Sequence, residues 1–433
     1  MKREKPAKER RLKTLILGAG VTGLAAARSS GFPVYEARPE PGGICSSYYL
    51  QGYRFERGGG HWLFGGDPEV LALIRKLVPV RSYNRYSAVF FSKKNLFVPF
   101  PLQYHLSSLG SEIANRAIAE MSASEQITPV TLKDWLYARF GPTLCALFFA
   151  PFHERYTAGL WETIVPQDDY KTPLRMDAVQ QGARGPGTSE VGYNVQFLYP
   201  QDGLDTLVAR LAPSSLVHLG YEVVRIDVGG RTVHLADGRK LPYDHLLCTL
   251  PLCKMGSITG LPLGQPDPYT SVLVLNLGAI KGKLCPPHHW LYVPDSESGF
   301  HRVGFYSNVE PSFLPAQAQA DARERVSLYI ERAYPGGEKP AAEEMGSFIR
   351  STVAELQRCQ FIEEVEVADP TWIDVAYTWS RPGSRWKETA IPTLESHGIH
   401  PVGRYGCWTF QGIADSIRDG LRIGSRFRTS DPA

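Results

Sequence analysis

The spacing of apolar and polar positions changes along the chain, and each change marks an element. Thr14–Leu17 is a short apolar, β-prone run, and an alanine-rich helix follows from Val21. A second short strand, Phe32–Tyr35, ends in Glu36. Val70, Leu71, Ile74 and Leu77 recur at helical spacing behind Asp67 and Pro68, which suit an N-cap and a first turn. Ala88–Ser92 and Asn95–Pro99 predict a hairpin with Lys93 and Lys94 at its turn. From about 103 to 180 the period is helical: one helix around Leu106, Ile113, Ala117 and Ile118, then Leu132–Phe140 and Thr143–Phe149. Arg184–Gly187 predicts an exposed, mobile loop.

The second half returns to mixed periods. A helix over Leu204–Leu211 precedes strands at His218–Leu219, Glu222–Asp227, Thr232–Leu235, Arg239–Leu241 and Leu246–Leu250. Residues 270–310 and 364–380 are strand-rich and aromatic, and 316–334 and 341–357 predict helices between them. A last helix covers about Ile413–Phe427.

Composition narrows this picture. With 433 residues the chain exceeds one small core, so two or three domains are expected. Its 43% hydrophobic and 21% charged residues are those of an ordinary globular protein. A net charge of +3 does not argue for nucleic acid, and part of it sits in a basic tail over residues 1–13. No apolar stretch reaches the length of a membrane span, so no transmembrane helix is expected. The seven cysteines are scattered without a C-x-x-C pair, which reads as free thiols and a cytoplasmic location. His288 and His289 lack the further ligands of a metal site, and no metal is expected.

The chemistry begins in the opening stretch. Gly18, Gly20 and Gly23 form G-x-G-x-x-G between a strand and a helix, and Glu36 ends the next strand. The first glycine permits the turn, the second lets backbone approach a pyrophosphate, and the third lets helix and strand pack closely. The helix N-terminus favours phosphate charge, and Glu36 is placed to accept from a ribose. A dinucleotide site follows. Further on, Gly58–Gly60 run into His61, marking backbone that comes close to something flat or bulky.

GAGVTGLAAA with Glu36 and Gly42–Gly43, GGGHWLFGGDPEVLALI, LFVPFPLQYHL, FHERYTAGLWETIVPQ, HRVGFYSN and VGRYGCWTFQGIADSIRDGL carry a resemblance over nearly the whole chain. It resembles the amine oxidase and protoporphyrinogen oxidase superfamily of flavoproteins, and within it the UDP-galactopyranose mutases. The resemblance implies an α/β fold: a glutathione-reductase-like Rossmann FAD-binding domain (14–87, 200–260 and 395–428), a mixed-sheet substrate domain (88–100 and 264–394) and a helical insertion (101–199). It implies FAD, reduced if the enzyme is a mutase, and a nucleotide-sugar or related glycosyl substrate. The chain departs from the mutase pattern at Gly159, where a lysine is usual, at Glu162, and at Trp408–Gly412, where mutases carry Tyr-x-x-Tyr-Asp.

The resemblance also implies roles. Gly18, Gly20, Gly23, Glu36, Arg38, Gly42, Gly43, Gly60, His61, Val223, Gly403, Arg404, Ile413 and Ala414 would hold the cofactor. His61, Arg175 and Arg302 are the candidates for chemistry, and Tyr156, Trp161, Arg175, Tyr193, Arg302 and Trp408 for substrate. The ordinary alternatives are a backbone-bonded loop histidine for His61, ion pairs for the arginines and core packing for the aromatics. Two other functions stay open: an FAD-dependent oxidoreductase acting on a small metabolite, and a flavin-free binding protein. Oligomeric state is not readable.

Overall fold

The computed structural model describes residues 12–123, 128–166, 173–192, 194–316 and 325–429. Strand β1 (Thr14–Leu17) is buried along its whole length at the centre of a five-stranded sheet. Its β-branched and apolar residues suit a strand covered on both faces. β2 (Val34–Glu36) and β14 (His245–Cys248) flank it, and β10 (Val217–Leu219) and β20 (Ile399–Pro401) form the edges. All four pairings are parallel, so residues from four distant parts of the chain meet here.

The helix Val21–Ser30 covers β1 and packs against the last helix, Ile413–Thr429. Glycines set how close the two come. A Cβ on Gly420 would lie 2.2 Å from the Thr22 carbonyl oxygen, and one on Gly424 would lie 2.4 Å from that of Ala26.

The second large sheet has seven strands. Its order is β19 (Ile362–Thr378), β15 (Tyr269–Lys281), β18 (Arg325–Pro335), β17 (Arg302–Phe305), β16 (Trp290–Tyr292), β7 (Ser87–Phe91) and β8 (Leu96–Pro99). The hairpin β7–β8 joins this sheet by a parallel pairing of β7 with β16. The expectation of a helix over 316–334 fails in the described part, which is β18. Residues 317–324 lie outside the described residues. Val326, Leu328 and Ile330 alternate with Ser327, Tyr329 and Glu331, a period of two. The first set packs beside Phe348 and Leu356 of the helix Ala342–Arg358.

Three small sheets complete the strands. β3 (Ser47–Leu50) and β4 (Tyr53–Glu56) form a hairpin. β11 (Val223–Asp227), β12 (Thr232–Leu235) and β13 (Lys240–Pro242) form a meander. β9 (Gln196–Pro200) lies between β5 (Leu63–Phe64) and β6 (Val80–Asn84). Helices Ser111–Ser122, Leu132–Leu144, Ala150–Tyr156 and Met176–Arg184 build a core of their own around Leu136, Phe140, Phe149 and Trp161. Arg184 closes the helix Met176–Arg184, and it and Pro186 are exposed as predicted, but the two glycines are held. Gly187 lies so close to Tyr104 that a Cβ would sit 1.6 Å from its carbonyl oxygen, and the Ser107 hydroxyl donates to the Gly185 carbonyl at 2.9 Å. Among the described residues no helix is long and apolar enough to cross a membrane, and no cluster of three or more His, Cys, Asp or Glu is placed to hold a metal.

Candidate active site

The opening turn makes a cradle. Gly18 has φ +92°, and a Cβ there would lie 2.2 Å from the Thr249 Oγ1. A Cβ on Gly23 would lie 1.9 Å from the Gly18 carbonyl oxygen, so only glycine lets the helix start this close to the strand. Gly20 faces open space, with nothing within 4 Å of its would-be Cβ. Gly42 donates its N–H to the Ala19 carbonyl at 2.8 Å, and Gly43 stands beside Gly20. Gly20 caps the helix without any side-chain bond, so the first-turn amides are left for a ligand. The Glu36 carboxylate is fixed at the rim, accepting from Ala19 N at 2.8 Å and Arg38 N at 3.0 Å. Arg38 donates to the Gly43 carbonyl at 3.3 Å. Val223 opens the meander opposite Leu235.

His61 follows the three glycines. Gly59, at φ +78°, and Gly60 lie on β18: their would-be Cβ atoms fall 2.9 Å from Glu331 Oε1 and 2.1 Å from the Tyr329 hydroxyl. The His61 ring lies over Gly58, and its buried Nδ1 has no partner. Burial first, then the Arg404 cation, push His61 down to about 4; Glu331 pulls the other way and outweighs the smaller push from Arg302. The ring is therefore neutral near pH 7.

Arg302 and Glu331 face each other across β17 and β18. Arg302 donates from Nε at 3.0 Å and from Nη2 at 2.7 Å to the two carboxylate oxygens. Burial alone would raise Glu331; the Arg302 guanidinium and the His301 ring outweigh it and hold the carboxyl at about 2. The rings of Phe152, Tyr156, Tyr292 and Tyr377 gather beside them, Tyr156 lying 5.5 Å from His301 and 4.8 Å from Tyr377. Arg404 sits among Tyr377, Tyr405 and Phe410 and donates to the carbonyls of Ala376 at 2.9 Å and Gln411 at 3.2 Å. Its Nε is buried without a partner. Gly403, at φ +76°, leads into this turn, and Ile413 and Ala414 bury the start of the last helix.

Other predicted residues lie elsewhere. Arg175 is exposed and paired with Asp177 at 2.6 Å. Trp161 is core, its Nε1 donating to Glu154 at 2.6 Å. Trp408 packs against Tyr269 and Trp386 beneath the first sheet and donates to the Trp379 carbonyl at 2.9 Å. The ordinary readings describe Arg175, Trp161 and Trp408 better than substrate contacts do. Tyr193 lies outside the described residues. Sequence reasoning missed Glu331, Tyr329 and His301. The alternation in VSLYIE was the signal that would have found the first two.

The open cradle over Gly20, the uncapped helix start, and the unpartnered Arg404 Nε and His61 Nδ1 fit an extended dinucleotide with a flat, polar ring system. The sequence pattern of the family described as flavin containing amine oxidoreductase matches residues 21–274, more than half the chain. The chain belongs to this family, and the cofactor the family implies is a flavin, FAD. Its fold is similar to that of reduced UDP-galactopyranose mutase, with a TM-score of 0.86 at 21% identity, covering 97% of this chain and 94% of that one. A putative protoporphyrinogen oxidase from Exiguobacterium sp. 255-15 gives 0.69 at 16% identity, covering 96% and 98%. Putrescine oxidase bound to putrescine gives 0.59 at 16%, covering 97% and 99%. No curated protein matches by sequence. At these identities the structural likeness speaks for the fold.

Proposed function

We propose that the chain is an FAD-dependent enzyme acting, with reduced flavin, on an anionic substrate, in the first instance a nucleotide-sugar or related glycosyl compound. The observation that carries this is the charge around His61. Two guanidiniums, Arg302 and Arg404, act on it, one carboxylate, Glu331, offsets one of them, and His61 itself is uncharged. Before the flavin's own negative charge is counted, one positive charge is left over. At about 5 Å and an effective dielectric of about 20, a unit charge is worth about 3 kcal/mol. That disfavours a protonated amine and favours an anion. The fold likeness to the mutase supports the glycosyl reading.

The bound flavin would supply the electron pair for chemistry at the substrate. The glycines of the cradle would bind the pyrophosphate, with Glu36 on the ribose and Val223 near the adenine. Arg404 and the start of the last helix, near Ile413 and Ala414, would stabilise negative charge on the ring system. His61, neutral, would hold or pass a proton at Nδ1. Arg302 would meet the substrate's anionic group, and Tyr156 would wall the pocket from water. Protein reduced by dithionite and given UDP-galactopyranose should form the furanose isomer, read by chromatography. No product from several nucleotide sugars would sink this version.

One observation favours a second reading, net oxidoreduction of a smaller metabolite. Arg175, Trp161 and Trp408 do not gather around His61, so a nucleotide has fewer partners than expected. Substrate-dependent peroxide on exposure to oxygen would support it.

A further inference from the structure

Glu331 is a buried charge to which the proposed function gives a balancing role and no position of its own in the chemistry. It is 2% exposed in the middle of β18, a position where an unpaired carboxylate is costly. Three contacts converge on it. Arg302, directly across the strand pair, donates from Nε and Nη2 to its two oxygens. Gly59 passes so close that a Cβ would lie 2.9 Å from Oε1. His301 Nε2 is 3.5 Å from Oε2. Two residues earlier on the same face, Tyr329 seats Gly60 in the same way. One carboxylate therefore touches both the guanidinium proposed to meet the substrate and the loop that ends in His61. Neither Arg302 bond uses Nη1, so the locked guanidinium keeps one nitrogen for a ligand.

We infer that Glu331 is a positioning residue that fixes Arg302 and the His61 loop relative to each other and limits the pocket to one uncompensated cation. A free arginine side chain loses rotamer freedom when ordered, and the two-point grip removes that cost from substrate binding. This rests on the reading that Arg302 and His61 face the site.

The test uses flavin-loaded Glu331→Gln and Glu331→Asp. Glu331→Gln leaves Arg302 uncompensated, so the flavin reduction potential, measured without substrate, should rise. UDP binding, titrated at low salt, gains the freed charge and loses the preorganised arginine, while turnover falls because Arg302 is no longer held. Glu331→Asp keeps the charge, so its potential should stay at the wild-type value with turnover partly restored. A full flavin load with wild-type potential in Glu331→Gln overturns the inference. Should Glu331→Gln lose its flavin, the double variant Arg302→Met with Glu331→Gln decides. Recovered flavin binding supports the coupling, and continued loss assigns Glu331 to loop packing alone and overturns it. The potential needs no substrate, so a wild type that ignores UDP would fail the substrate reading while leaving this one measurable.

Discussion

His61, His153, His288, His289 and His400 are each pushed down to about 4, in every case chiefly by burial. The unfolded chain binds protons on these rings near pH 6.5 and the folded chain does not. Their contribution to stability is therefore present above 6.5 and lost as pH falls from there toward 4. Glu331, held at about 2, adds to the acid loss below the ordinary glutamate range. Glu56 opposes them: burial lifts it to about 7, so its contribution is present below about 4.5 and lost as pH rises through 7. Thermal unfolding midpoints should fall steeply between about pH 6.5 and 4. His153→Gln, placed away from the proposed site with its ring 2.7 Å from the Phe149 carbonyl, should flatten part of that slope. An unchanged slope would mean that burial does not set these protonation states. At the same scale, Gly60→Ala would place a methyl 2.1 Å from the Tyr329 hydroxyl. It should cost about 1–3 kcal/mol of stability by overpacking and lower the flavin content, read by calorimetry and absorbance.

Elements differ in how much of themselves the sequence displays. The unit from Thr14 to Glu36 was legible because each part is local: an apolar strand, glycines at fixed offsets, an acid at the next strand end. So was the helix behind Asp67, whose side chain accepts from Glu69 N at 2.9 Å, two residues away. β18 was not. The stretch reads as helix in the sequence, and the alternation of Val326, Leu328 and Ile330 gains meaning only against β15 and β17. The same non-locality hid half of the candidate site. Arg302 could be named from its motif, but its partner Glu331 stands across a strand pair that no local pattern announces. Arg175, Trp161 and Trp408 matched a motif by residue type, and here each is held by a neighbour, Asp177, Glu154 and the Trp379 carbonyl, that the motif does not include. The last helix carries its own test. Gly420→Ala would press a methyl to 2.2 Å from the Thr22 carbonyl oxygen, forcing the helix off its partner. A loss of about 1–3 kcal/mol is expected, with weaker flavin retention because Val21–Ser30 begins at the cradle. Wild-type stability would show that this helix contact is loose.

At the scale of the whole molecule, the two large sheets divide the work proposed for them. The five-stranded sheet presents the cradle, and the seven-stranded sheet presents Arg302, Glu331 and Tyr329 to the loop of His61. All seven cysteines are free thiols, and burial raises each of them, Cys45 to about 12, so none is primed as a thiolate. Family membership supports an FAD-dependent enzyme, while the charge around His61 is what the proposed choice of substrate rests on. The most direct test titrates the flavin absorbance of the purified protein with UDP-galactopyranose and, separately, with putrescine. A saturable shift with the nucleotide sugar and none with the amine is the predicted result. A protein that takes up no FAD, or whose flavin spectrum answers to the amine and not to the nucleotide sugar, would contradict it.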